Sequence, residues 1–423
     1  MRTRFLSTFS PYAELLRIRK ARRFVIAGFI GRYPISMRAL AVLLLVLATE
    51  GSYAVAAAVS STVTLANALT APMLGRLADV RSQSLVILTT MSVHVTGAVG
   101  LLALARLDAP IWTLFVAAAV FGSSALPLGS LVRARWAVLL RGSPRLQSAY
   151  ALEALNDDII YLSGPAIVTM LAANLFPAAG MVVVLAFILV GWPALALQKD
   201  TQPPTAFAPD RPRARAVSEP GMRALLVVVS ILGAWLGSSN VSMIAFAEEQ
   251  GNPGVGGVLI GLMILAGSVA GLLYGGTTWQ VGLVPRLLGT AVVLGVGSLP
   301  LLLADSLWLM GLLALVAGIA ITPMLVTMYS LLGNLVHKTS VTEGFAWIAS
   351  SITVGSSAGT AASGYLVDRI GSTGSLLLVA GCGLVAPLVV LATRRLLART
   401  PFTTESSDET PAEPLGVPTA GDG

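Results

Sequence analysis

Some twelve apolar stretches, each about as long as a bilayer is thick, run through this chain in two sets of six. An apolar helix needs about 20 residues to cross about 30 Å of hydrocarbon. The stretches fall near 24–48, 53–75, 84–106, 111–132, 149–172 and 178–198, then 223–247, 255–277, 286–304, 308–334, 342–366 and 374–397. The pattern predicts an all-α integral membrane protein made of two six-helix bundles. Little chain remains for a soluble catalytic or sensory domain.

Composition agrees, because 55% of residues are hydrophobic and only 11% charged, against about 25% charged in soluble domains. The net charge of +7 reads as a topology signal and not as a nucleic-acid footprint. Of the Lys and Arg residues outside the spans, 23 fall in one alternate set of segments and 2, Arg106 and Arg369, in the other. In this tally Arg133, Arg135, Arg141 and Arg145 occupy loop 4–5, and Arg32 and Arg38 remain inside span 1. The positive-inside rule then places both termini and the central connection in the cytoplasm, in the cell membrane. The basic start runs straight into a full-length span, so no cleavable signal peptide is expected.

The expected organisation is a basic cytoplasmic segment at 1–23, a bundle at 24–198 and a linker at 199–222. A second bundle follows at 223–397, then a disordered cytoplasmic tail at 398–423. The linker's prolines and arginines read as a flexible hinge. The halves echo each other. A shift of 200 places Gly75 on Gly275 and Ala66 on Ala266, while a shift of 195 places Tyr150 on Phe345 and Gly164 on Gly359. Two repeats related by a pseudo-two-fold axis put a site near the midplane between them.

Between spans 2 and 3 stands Gly75-Arg76-Leu77-Ala78-Asp79-Val80-Arg81-Ser82-Gln83, and span 5 holds Gly164-Pro165. On these motifs and the two-times-six layout the chain resembles the major facilitator superfamily, with Arg32-Tyr33-Pro34-Ile35-Ser36-Met37-Arg38 similar to 12-span actinobacterial efflux-type members. The resemblance implies secondary transport by alternating access, with Gly75, Asp79 and Arg81 as a gating motif latching the cytoplasmic side. It also implies a helix-bending role for Gly164 and Pro165 like that in drug:proton antiporters. Val80 and Ser82 depart from the family's basic residue and glycine. In the second half, Gly275-Gly276-Thr277-Thr278-Trp279 has lost the acid altogether.

Ionisable groups inside hydrocarbon cost several kcal/mol unless they pair or face water. Arg32, Arg38, Glu153, Asp157 and Asp158 are therefore the candidate substrate and proton pathway, with Arg32 expected to pair with the Asp157/Asp158 carboxylates. Glu153, one turn nearer the cytoplasm, carries the weaker case, since snorkelling to the interface is open to it. Neither Arg32 nor Asp157 recurs in the second half, where Leu232 and Ile352 stand, which favours function over architecture. Trp235, Asn240, Thr327 and Tyr329 are weaker cavity candidates. His94 reads as a locally bonded histidine, and Cys382 as small apolar filler.

Two distant histidines and one cysteine make no metal-ligand cluster, and no nucleotide-binding loop is present. No metal or cofactor is expected, and no nucleic-acid partner. The partners expected are a small organic molecule (drug or metabolite), protons and membrane lipid, acting on a monomer. Proton-coupled export leads. Proton-coupled uptake is the alternative, and a membrane enzyme or sensor follows at a distance. The arginines hint at an anionic substrate and the three acids at a cationic one.

Overall fold

The computed structural model describes residues 12–50, 53–107, 109–203, 216–252, 255–337 and 340–398. Most of the basic start, the centre of the linker and the tail from 399 lie outside these residues. Every regular element among them is helical. The first half comprises α1 (Arg19–Glu50), α2 (Tyr53–Val80), α3 (Gln83–Arg106), α4 (Ile111–Ser123), α5 (Leu128–Leu139), α6 (Arg145–Asn174) and α7 (Ala179–Ala196). The second comprises α8 (Pro220–Glu249), α9 (Gly256–Gly275), α10 (Leu283–Ser298), α11 (Leu307–Gly318), α12 (Ile321–Leu335) and α13 (Val341–Leu397).

Among the described residues, nine helical stretches are long and apolar enough to cross a membrane. The longest, α13, turns at Ile370–Gly371, where Gly371 has φ +72°, a left-handed conformation glycine adopts without steric penalty. With its two arms counted separately and α2 and α6 added, the helices make the twelve passes read from the sequence.

The fourth and tenth passes are each broken in two, where an unbroken helix was expected over 111–132 and 308–334. In the fourth, Pro127 lacks an N–H and disfavours helical geometry at Leu126, so α4 stops at Ser123 and α5 restarts at Leu128. In the tenth, α12 restarts at Ile321 with Pro323 in its first turn, where a missing N–H costs nothing. The breaks occupy matching positions in the two halves. α5 also runs to Leu139, seven residues beyond the expected span end.

That extension corrects the charge tally. Arg133 and Arg135 are not loop residues but lie on α5, with 6% and 0% of their surface exposed. Arg135 donates to the carbonyls of Leu195 and Gln198 at the end of α7, to Thr201 Oγ1 and to Gln83 Oε1. A cation satisfying the last carbonyls of a helix is favoured by the helix dipole. It also fixes the short 3₁₀ turn Lys199–Thr201 that begins the linker.

Packing within halves pairs α1 with α7 and α8 with both arms of α13. The seam between halves is built by α2 on α13, and by α6 on α9 and α12. Take the near end as the membrane end where α1 begins. There Asp79, at the end of α2, accepts the backbone N–H groups of Thr342 (3.2 Å) and Glu343 (2.7 Å) at the start of α13. On the neighbouring stretch of seam, Gln147 Nε2 and Ser148 Oγ of α6 donate to the carbonyls of Tyr274 (2.7 Å) and Gly275 (2.5 Å). Tyr12 donates to Leu272 O at 2.5 Å. These bonds close the near end of the seam.

Candidate functional site

The site forms where α1, α2, α5 and α6 of the first half meet α9 and α12 of the second. Small residues bring α1 and α6 together: a Cβ on Gly164 would fall 2.0 Å from Ser36 Oγ. Ser36 Oγ also donates to Ile160 O at 2.9 Å, and Tyr33 OH meets Ser163 Oγ at 3.1 Å. This contact sets Arg32 against the acidic turn of α6.

Arg32 is fully buried and completely engaged. Its Nη2 donates to Glu153 Oε2 (2.5 Å), Nη1 to Asp157 Oδ1 (2.9 Å), and Nε to Gly28 O (3.1 Å). Glu153 takes its second bond from Trp136 Nε1 on α5 at 2.8 Å. It is 0% exposed, so it does not snorkel: Arg32 and Trp136 hold it in the bundle. The second oxygen of Asp157 accepts from Arg133 Nη2. Gly129 makes room for this, because a Cβ there would lie 2.8 Å from Arg133 Nη1. The Arg133 guanidinium stacks 4.4 Å from the ring centroid of Tyr329 on α12. Arg133 was missed by the sequence reading because its place among loop arginines hid it; Pro127, which restarts the helix, was the available signal.

Asp158 does not join Arg32. It points across the seam and accepts from Ser268 Oγ of α9. Adjacent residues on a helix diverge by about 100°, so only one of the two aspartates faces α1. The two acids expected to act as one pair are divided between two elements.

Arg38, about 9 Å beyond Arg32 along α1 at 1.5 Å per residue, is a separate centre. Its Nη2 donates to Asn67 Oδ1 at 2.5 Å, and the Asn67 amide is anchored on Ala125 O at 2.9 Å. That carbonyl lies in the break between α4 and α5. Tyr161 lies within electrostatic reach of Arg38, Asp157, Arg133 and Tyr329, yet 56% of its surface is exposed. The phenol thus stands beside charged groups of three helices. Asp157, at 27% side-chain exposure, is the accessible member of the Arg32 ion-pair cluster.

Of the weaker candidates, only Tyr329 reaches this site. Trp235 bonds Ser298 Oγ inside the second half, and Thr327 bonds Tyr274 OH. Asn240 is exposed on α8. His94 is stacked between Phe121 and Trp192, with Nδ1 on Ser124 Oγ at 3.1 Å and Nε2 buried without a partner. Gly75 packs tightly, since a Cβ would sit 2.8 Å from Ala346 Cβ. Pro165 lies within an unbroken α6. No group of three metal-binding side chains forms among the described residues.

No protein-family model and no curated protein matches the chain. Solved structures do. A bacterial homologue of the iron transporter ferroportin in an outward-facing state superposes with TM-score 0.70 at 17% identity, over 89% of this chain and 100% of that one. The human organic anion transporter MFSD10 (TETRAN) gives 0.65 at 17% identity, over 87% and 99%. The E. coli fucose:proton symporter FucP gives 0.66 at 13% identity, over 89% and 100%. With its twelve passes, its paired breaks and this likeness over whole transporter chains, the protein is a multi-pass membrane protein with the major facilitator fold, two six-helix bundles related by a pseudo-two-fold axis.

Proposed function

We propose that the protein is a secondary active transporter that exports a small organic molecule in exchange for protons, by alternating access between its two bundles. The observation that supports this reading is the ionisable cluster of Arg32, Arg133, Glu153, Asp157 and Asp158, packed among helices of both halves beside a seam that Asp79 closes at its near end. Charges so deep in hydrocarbon mark ion and substrate paths. With the termini in the cytoplasm of a cell-membrane monomer, the latched end faces inward, and Asp79 holds it by capping α13.

The roles divide by partner. Asp157, held by two arginines, keeps its charge and fixes α1, α5 and α6 together. Asp158 has no cation against it and accepts a hydroxyl from the other bundle, so protonation and seam opening act on the same bond. It is the proton carrier in this reading. Uptake by proton symport is the rival. It uses the same carboxyl, and the likeness to a fucose:proton symporter favours it.

The test is reconstitution in vesicles with a pH dye inside, screened against a library of organic solutes. Antiport predicts that an entering substrate makes the lumen more alkaline, and symport that it becomes more acidic. Asp158→Asn should abolish proton movement while retaining substrate exchange. Proton movement undiminished in Asp158→Asn overturns the assignment, and transport that requires ATP overturns the class.

A further inference from the structure

The balance of bonds within the site separates the anionic and cationic readings that the sequence leaves open. Both oxygens of Glu153 are taken, by Arg32 and Trp136. Both oxygens of Asp157 are taken, by Arg32 and Arg133. Asp158 is engaged with Ser268. Glu153 and Asp157 thus offer a cationic substrate no oxygen without a partner, and Asp158, the one of these acids with no cation against it among the described residues, is the group assigned to the proton.

The cations are differently placed. Arg32 spends all three of its nitrogens on internal partners. Arg38 has one side-chain bond, to a neutral amide, and among the described residues no carboxylate pairs with it. It is 8% exposed and lies just past the middle of α1. A guanidinium carries five donors, and one left in a membrane interior without a counter-anion is costly. Arginine relieves that cost elsewhere by snorkelling. Here Asn67, fixed on Ala125 O, holds the head group inside the protein instead. Arg133 adds a second unmet donor, since its buried Nε has no partner.

We propose that a cavity between the bundles beside Arg38 and Tyr161 binds a small organic anion, whose carboxylate, sulfonate or phosphate group is received by Arg38, with Asn67 as the residue that positions the guanidinium. This rests on the reading of the cavity as the transport path and supplies its substrate class. The Tyr161 phenol, exposed in the same space, offers a donor and an aromatic wall to the organic body. A soluble solute and a lipid head group present the same chemistry, and the soluble one is the occupant proposed.

The experiment measures melting of the purified full-length protein in an uncharged detergent at fixed ionic strength. The probes are phenylbutyrate, naphthalenesulfonate and phenyl phosphate, each beside a neutral and an amine analogue, with phosphatidylglycerol as a separate arm. The expected result is a saturable rise in melting temperature with one or more soluble anions, and none with neutral or amine analogues. Arg38→Gln should erase that rise while melting, without ligand, at or above the wild type, because it removes an unpaired buried charge. Arg38→Lys should weaken the apparent affinity by about tenfold or more, having lost the planar fork.

Stabilisation by the amines, an anion effect that survives Arg38→Gln, or no effect of any soluble anion overturns the proposal. So does an Arg38-dependent effect of phosphatidylglycerol alone. Ligand-free Arg38→Gln melting well below the wild type, or failing to fold, makes Arg38 structural and also overturns it. Anion binding through Arg38 without anion transport leaves this site standing and removes the transport reading. Transport of a cation indifferent to Arg38 does the reverse.

Discussion

Replacing Arg32 by alanine removes the one side chain that joins α1 to Glu153 and Asp157 of α6. The variant strands Glu153, which is fully buried, with a single neutral donor, Trp136 Nε1. Asp157 retains Arg133 and is the lesser loss. Breaking a buried ion pair from one side costs about 3–5 kcal/mol, a factor of roughly a hundred to several thousand in the ratio of folded to unfolded protein. Arg32→Ala should therefore melt far below the wild type in detergent, with a lower yield of monodisperse protein on size exclusion. Glu153→Gln keeps the shape and the Trp136 bond, so its loss should be smaller. The double variant Arg32→Met/Glu153→Leu removes both members and should recover most of the stability, because a neutral replacement of a buried pair is often tolerated. Recovered folding without recovered proton-coupled transport identifies the cluster as working machinery. Full coupled transport by the double variant reduces it to architecture. Arg32→Ala melting within about 1 kcal/mol of the wild type refutes the reasoning outright, since no buried and uncompensated carboxylate carries so small a cost.

Two further outcomes are expected. Asp79→Asn removes the charge on the first N–H groups of α13, worth about 0.5–2 kcal/mol as a cap. The near end should then open more often, read as faster labelling of a cysteine introduced at Ser350 in a Cys382→Ser background, with slower transport; unchanged labelling removes the latch. Reporter fusions at Arg81, Arg141 and Arg211 should register as cytoplasmic and one at Gly251 as external; an external signal at Arg211 breaks the two-bundle topology.

The twelve passes were legible because burial in lipid demands about 20 apolar residues at every crossing, and that demand is local. The repeat was legible for a similar reason. The shift of 195 paired Tyr150 with Phe345, and the two rings meet edge-on across the seam at 5.7 Å. What the sequence hid was geometry. Arg133 read as a loop cation because α5 continues past the hydrocarbon length, and only packing shows that its charge turns inward. Asp157 and Asp158 read as one pair because neighbours in sequence share a depth, whereas the helix sends them to different partners. Depth alone left snorkelling open to Glu153, but Arg32 and the indole of Trp136 supply the partners that keep it buried. In each case depth was readable and direction was not.

The lost acid of the second half follows from the same distinction. Under the shift of 200, Asp79 corresponds to Trp279, and Gly75 to Gly275. The glycines keep their work: a Cβ on Gly75 would strike Ala346, and one on Gly275 would strike Ala151, two alanines that the shift of 195 relates. The two stretches of seam therefore pack alike, but their polar bonds run in opposite directions. At the first, a carboxylate at the end of α2 accepts from the N–H groups that open α13. At the second, side chains opening α6 donate to the carbonyls that end α9, while Arg286 ties Gln147 to Tyr274 and Trp279 Nε1 bonds Tyr274 O. Free carbonyls at a helix end need donors as surely as free N–H groups at a helix start need acceptors, so the seam closes there without an acid. The asymmetry has a consequence for opening. The first latch is a buried charge on a helix dipole and is sensitive to loss of that charge, whereas the second is a set of neutral amide, hydroxyl and indole donors with one arginine behind them. Loss of that one charge weakens the first latch, and the second has no carboxylate to lose.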